Sequence, residues 1–267
     1  ALERNRKKYD LQSKQLKGTE KRDKYKVYGE LINTYGYNLE PGSKELTALN
    51  YYTNEEITIP LDPTQIPGEN AQRYFAKYNK QKRTFEALTE LIQETADDIQ
   101  YLESISNALD IALSEADLAQ IKEELMQSGY IRRKHTKKKV KLTSKPMHYI
   151  SSDGYDMYVG KNNLQNEELT FSFANGNDWW FHAKGAPGSH VIVKSGGDEL
   201  PDRTFEEAGR LAAYYSKNRG ADKVEIDYIQ KKHVKKPNGA KPGFVVYYTN
   251  YSLVIDSDIS NIKNVQD

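Results

Sequence analysis

The sequence predicts an α+β protein: a long antiparallel coiled-coil arm with a small tip, followed by a compact mixed α/β domain with antiparallel hairpins. Three observations predict it. An apolar stripe at three- and four-residue steps runs from Phe75 to Leu109 without a glycine or proline. A charged helical stretch precedes it over residues 1 to about 40. From Tyr130 onward the chain changes to short alternating segments separated by turn residues. The expected domains are residues 1–130, the arm with its tip at about 41–68, and residues 131–267.

Within the arm, Leu2, Tyr9 and Leu16 stand seven apart, one seam position of a heptad. The seam blurs around Asp23 and returns at Val27, Leu31 and Ile32, and Gly36, Pro41 and Gly42 end it. Residues 46–52 and 56–61 alternate around Thr53-Asn54-Glu55 and predict a small hairpin. Phe75, Tyr78, Lys82, Phe85, Leu88, Ile92, Thr95, Ile99, Leu102, Ser106 and Leu109 then mark a helix over 69–113. Its length is roughly 65 Å at about 1.5 Å per residue. A stripe that long needs a partner. The first helical stretch, returning antiparallel, is the obvious one; a coil between two chains is the alternative. Ser114-x-x-Asp117 opens a second helix that Gly129 closes. Residues 86–124 carry eleven acids against one base, Lys122, a face that repels RNA.

In the second domain, strands are expected at 147–151 and 155–160 around Asp153-Gly154, then a short helix over 162–173. Strands at 179–184 and 190–194 flank a Gly/Pro loop. Thr204-x-x-Glu207 reads as a capping box for a helix to Asn218, with Gly220 after it. Strands at 223–229, 243–248 and 251–255 complete the domain.

Composition bounds the function. Of the 267 residues, 37% are hydrophobic and 29% charged, which suits a solvated helix plus a domain of ordinary density. The net charge is only +1, so a nucleic-acid site must come from local patches. Absence of cysteine excludes disulfides and thiolate metal sites and fits a reducing cytoplasm, the expected location. No apolar run approaches the roughly 18 residues of a membrane span, so no membrane partner is expected. The chain opens Ala1-Leu2-Glu3-Arg4-Asn5-Arg6 inside a charged helical pattern and reads as a fragment lacking an N-terminal part, with no visible signal peptide.

Two basic runs supply such patches. Residues 131–145 hold Arg132, Arg133, Lys134, Lys137, Lys138, Lys139, Lys141 and Lys145 without an acid, and Lys231, Lys232, Lys235, Lys236 and Lys241 surround His233. Lysine and arginine meet phosphates, although a lone charge run is usually a solvated face or linker. The densest stretch is Asp178-Trp179-Trp180-Phe181-His182-Ala183-Lys184-Gly185-Ala186-Pro187-Gly188-Ser189-His190-Val191. Strand alternation sets Trp179, Phe181 and Ala183 on a core face and Trp180, His182 and Lys184 on the other. Bases stack on such aromatics while lysine meets phosphate, and the turn at Ser189 offers backbone N–H groups to a phosphate oxygen. The competing reading is a tightly packed hairpin with Trp180 in the core. His182 and His190 lack a standard metal-ligand spacing, and no phosphate-binding loop, dinucleotide fingerprint or nucleophile elbow appears. No enzyme activity and no cofactor are expected.

Longer motifs carry a resemblance. Tyr149-Ile150-Ser151-Ser152-Asp153-Gly154, Val159-Gly160-Lys161-Asn162-Asn163-Leu164-Gln165-Asn166-Glu167, Trp180-Phe181-His182-Ala183-Lys184 and Pro187-Gly188-Ser189-His190-Val191 resemble the C-terminal RNA-binding domain of the NFACT family. Lys241-Pro242-Gly243 and Tyr248-Thr249 resemble its late segment. Tyr28-Gly29-Glu30-Leu31, Ile59-Pro60-Leu61-Asp62-Pro63 and Glu69-Asn70-Ala71-Gln72-Arg73-Tyr74-Phe75 resemble its coiled-coil and middle region. The chain departs at Gly185 and Ala186, where the family usually has an acid and a bulky aliphatic, and at Trp179, commonly aliphatic.

The resemblance implies a ribosome-associated quality control factor. Such proteins bind the large ribosomal subunit, its rRNA and ribosomal proteins, when it still carries a stalled peptidyl-tRNA. They recruit alanyl-tRNA and support a C-terminal alanine tail, the peptide bond itself being made by the ribosome. The family's tRNA-contacting Asp-Arg pair lies in an N-terminal domain absent from this chain, so tRNA contact is expected mainly from there. The expected RNA-binding residues are Arg132, Arg133, Lys137, Lys138, Lys139, Asn162, Asn163, Gln165, Asn166, Trp180, His182, Lys184, Ser189, His190, Lys231, Lys232, Lys235, Lys236 and Lys241. A label used in the family implies a different class, an adhesin binding fibronectin, and a coiled-coil protein scaffold is a third.

Overall fold

A computed structural model of the chain describes residues 1–132 and 143–265. Contacts divide it into two compact units, residues 2–99 and residues 100 onward. The division falls inside a helix, upstream of the change of sequence character at residue 130.

The first unit begins with α1 (Leu2–Lys17) and α2 (Asp23–Tyr35), joined through a short 3-10 turn, Glu20–Arg22. Its hairpin pairs β1 (Glu45–Asn50) with β2 (Glu55–Pro60), Leu46 opposite Ile59 and Asn50 opposite Glu55. Asn54 takes the left-handed backbone that this turn needs, with φ of 58°. Leu31, Ile32, Leu46, Ile59, Ala71 and Tyr74 form the core between hairpin and helices.

Helix α3 (Pro67–Ile111) runs uninterrupted for 45 residues. Its first part runs antiparallel to α1 and α2. Phe75 meets Gly29, the Arg22 guanidinium lies 4.0 Å from the Phe85 ring centroid, and Thr95 Oγ1 donates to Gln12 Oε1 at 3.0 Å. The buried positions spaced seven apart are polar: Asn5 and Gln12 in α1 and Thr19 just after it are buried, whereas Leu2 and Leu16 are half-buried and Tyr9 is exposed. The expected seam residues Leu2, Tyr9 and Leu16 are thus not the buried positions of this helix.

The second unit holds the rest of α3, where the buried positions shift. Tyr101, Ile105 and Ala108 pack with Ile121 of α4 (Glu115–Gln127), whereas Ser106 and Leu109, expected in the stripe, are exposed. The Ser114–Asp117 capping box forms as the sequence predicts, and Gly129 has φ of +76°. A seven-stranded antiparallel sheet follows, in the order β8-β7-β5-β6-β4-β3-β9. Its strands are β3 (Met147–Ile150), β4 (Asp156–Val159), β5 (Trp179–Ala183), β6 (Val191–Val193), β7 (Val224–Gln230), β8 (Tyr251–Ile255) and β9 (Lys263–Asn264). Between β4 and β5 lie α5 (Asn163–Glu168) and a π-helical turn, Leu169–Phe173; α6 (Asp202–Tyr214) lies between β6 and β7.

Both faces of this sheet are covered. Phe181, Val191, Val193, Ile226 and Met157 pack with Ala208, Leu211 and Ala212 of α6. On the other face Trp180, Ile192 and Ile229 pack with Leu169, Val234 and Tyr247.

Two local expectations are corrected. Thr204 and Glu207 do not cap α6, which starts after Pro201 with both residues inside it. They reach across to the β3–β4 turn: Thr204 Oγ1 donates to Asp153 Oδ2 at 2.8 Å, and Glu207 accepts from Ser152 N at 2.8 Å and from Ser152 Oγ at 2.5 Å. Residues 243–248 do not form a strand; a single bridge joins Lys235 to Val246.

Candidate nucleic-acid interface

Alternation puts Phe181 on the α6 side of β5 and Trp180 on the opposite side, as the sequence predicts. That opposite side is a second core, however, not a solvent face. Trp180 has 0% exposure, with Tyr247 at 4.9 Å and His190 at 5.1 Å between ring centroids. It offers no ring face to a base, so the stacking role expected of it is corrected. His182 is half-buried and stacks on Trp180; burial pulls its pKa down to about 4, against the attraction of Asp227. His190 is buried, its Nδ1 is 2.8 Å from Thr170 Oγ1, and burial followed by repulsion from His182 holds its pKa well below the usual value. Both imidazoles are therefore neutral at pH 7 and attract no phosphate. Lys184 is exposed but paired with Glu225 at 2.5 Å.

The amide cluster is also internal. Asn162, Asn163, Gln165 and Asn166 are all buried, which corrects their expected contact with RNA. Asn162 caps α5 by accepting from Gln165 N, and its Nδ2 donates to Gln120 Oε1 at 2.9 Å. Gln165 Nε2 donates to the same oxygen and to Ser144 Oγ. Asn163 Nδ2 donates to Ser104 Oγ and Glu124 Oε1. Asn166 Oδ1 accepts from His190 N at 2.9 Å. Ser189 is buried too.

Two members of the acidic run of 86–124 are sunk into this network. Burial raises the Glu124 pKa against its bonds from Asn163 and Tyr101. Burial also opposes the charge of Asp117, but Lys161 at 2.5 Å and the Ser144 hydroxyl outweigh it and hold the pKa down to about 2. The family-like Lys161–Asn166 motif is thus the clasp between α4 and α5. Sequence reading missed this because Gln120 and Glu124, its partners, sit about 40 positions upstream in a run that looks solvated.

The lysines differ from one another. Lys236 is paired with Glu167 at 2.7 Å, and Lys241 lies 4.7 Å from the Tyr101 ring centroid. Lys231 is half-buried and 5.9 Å from the Phe171 ring centroid, whereas Lys232 and Lys235 are exposed. Among the described residues no carboxylate pairs with Lys231, Lys232 or Lys235. Arg132 is exposed; Arg133, Lys137, Lys138 and Lys139 lie outside the described residues. Among the described residues of the two basic runs, Arg132, Lys145, Lys232 and Lys235 are thus exposed without a carboxylate partner, with Lys231 half-buried at the end of β7.

This arrangement can be set against known proteins. A family model for the NFACT N-terminal and middle domains matches residues 1–144, and one for the NFACT protein RNA binding domain matches residues 145–248. The chain belongs to the NFACT family. Among NFACT relatives, the Rqc2 homolog RqcH of Streptococcus pneumoniae serotype 2 is 42% identical over 99% of this chain and 48% of its own length. The Rqc2 homolog RqcH of Bacillus subtilis is 40% identical over 93% of this chain and 44% of its own length. The chain spans about half the length of these curated NFACT relatives. The C-terminal part of the fibronectin/fibrinogen-binding protein from Streptococcus suis has a solved structure with a TM-score of 0.74 and 38% identity, covering 98% of this chain and 92% of that one. The RNA-binding match contains β3 to β7 and the 231–235 turn. No described helix is long and apolar enough to cross a membrane, and the described residues contain no cluster of three or more His, Asp or Glu set to hold a metal.

Proposed function

We propose that this chain is the RNA-gripping part of a ribosome-associated quality control factor acting on the large ribosomal subunit. One observation carries the reading: within the RNA-binding match, β7 runs into a turn of lysines, Lys231, Lys232 and Lys235, that have no carboxylate partner among the described residues. Lys231, Lys232 and Lys235 would neutralise phosphates of ribosomal RNA, and the double-sided core would hold their backbone in place. The paired helices α1, α2 and α3 would act as an arm toward ribosomal protein or RNA. Recruitment of alanyl-tRNA and alanine tailing would need the tRNA-selecting part of the longer relatives. Peptide-bond chemistry would remain the ribosome's, and this chain would act in the cytoplasm without a cofactor.

Cosedimentation of the chain with purified large and small ribosomal subunits tests this. Retention on large subunits and not on small ones is expected. The Streptococcus suis name favours a second reading, binding to fibronectin, so immobilised fibronectin forms a parallel arm. Binding there with no retention on either subunit would replace the ribosomal reading.

A further inference from the structure

The expected stacking residue, Trp180, is buried, yet the same domain exposes other rings. On β3 and β4, His148 and Tyr158 are direct cross-strand partners. Their rings lie 4.5 Å apart at an interplanar angle of 3°, a parallel stack. Phe173, at the end of the π-helical turn, stands edge-on to Tyr158 at 4.7 Å and is 41% exposed. The turn itself matters here. Widening the helix by one residue in its last turn carries Phe173 out over the sheet while Leu169 stays in the core beneath.

Lysines border the rings, and of these Lys231 and Lys232 have no carboxylate partner among the described residues. Lys194 Nζ lies 4.8 Å from the Phe173 ring centroid and is fixed there by Asp178 at 2.5 Å. Lys231 stands over Phe171, two residues before Phe173, and the exposed Lys232 donates its backbone N–H to Gly176 O at 3.0 Å. Asp156 is the acid nearest the stack, and it is bound to His148 Nε2 at 2.7 Å.

A row of partly exposed rings, two on adjacent antiparallel strands and one on the π-helical turn, bordered by lysines, has the chemistry that unpaired bases need: π-faces to stack on and cations for the backbone. A paired duplex offers its bases no such access. An aromatic surface on the other sheet face, Trp179, Tyr228 and Tyr251, fits less well, because Phe205 of α6 already packs against both Trp179 and Tyr228 there. We infer that His148, Tyr158 and Phe173 form a stacking surface for unpaired RNA bases, with Lys194 and Lys231 beside it. This rests on the RNA-binding reading above and gives it a preference for single strands.

The test uses the whole chain and a labelled, unstructured single-stranded RNA of about twelve nucleotides, beside the same sequence as a duplex, read by fluorescence anisotropy. Phe173→Ala is expected to weaken single-strand binding about fivefold to a hundredfold, the usual range for one lost stack. It should change duplex binding less than twofold. Phe173→Tyr should restore most of the single-strand affinity. If Phe173→Ala melts early, His148→Ala, at the half-exposed end of the stack, decides with the same two probes. Equal losses on both probes, or no loss on either, overturn the stacking surface and leave the RNA-binding reading intact. Failure of the unaltered chain to bind either probe overturns both.

Discussion

At the scale of single residues, exposure decides between two roles that sequence cannot separate. Trp180 and Phe181 both have 0% exposure, on opposite faces of β5. Trp180→Ala should therefore cost about 3–5 kcal/mol in urea unfolding, as Phe181→Ala should. An unfolding curve for Trp180→Ala that overlays the wild type would mean that the second core is not there. His182 makes a pH prediction. Its pKa falls from the ordinary value to about 4 on folding, so the unfolded chain binds more protons between those two values. The stability it contributes is complete above about pH 6.5 and is lost as pH falls toward 4. Unfolding midpoints measured from pH 7.5 to 4 should drop, and His182→Asn should flatten that drop. Alternation on β5 was legible in the sequence. What covers the second face was not, because Leu169, Val234 and Tyr247 come from three separate segments.

At the scale of elements, local rules succeeded where partner and residue are near in sequence. The Ser114–Asp117 box and the Asn54 turn are of this kind. Thr204-x-x-Glu207 has the same letters as a capping box, but its hydrogen bonds go to residues 151–153, more than 50 positions away. The polar heptad Asn5, Gln12, Thr19 escaped because hydrophobic periodicity does not register a buried amide. The β4–α5 junction gives the sharpest test at this level. A Cβ on Gly160 would lie 2.2 Å from Asn166 Oδ1 and 2.9 Å from Asn166 N, inside the clasp that also holds the His190 backbone. The backbone atom cannot rotate away, so overpacking outweighs the gain from a less flexible residue. Gly160→Ala should lose about 1–3 kcal/mol or more. Equal or higher stability in denaturant unfolding would show that the clasp yields freely.

At the scale of the whole molecule, the sequence showed the family and the mixed α/β character through long motifs, and the structure redistributed the work within them. The amides of Lys161–Asn166 and the Trp180–His182 strand build the domain. The exposed, unpaired cations are a subset of those the sequence offered, since Lys184 and Lys236 are paired with Glu225 and Glu167. In the proposed function, this lysine turn grips RNA phosphates of the large subunit. The most direct measurement is the affinity of the chain for purified large subunits across a salt series, beside the double variant Lys232→Gln, Lys235→Gln. Log affinity should fall linearly with log salt, with a slope shallower by about 0.7 to 0.9 for each phosphate contact the variant loses. Binding that ignores salt, or a variant with the wild-type slope and affinity, would contradict it.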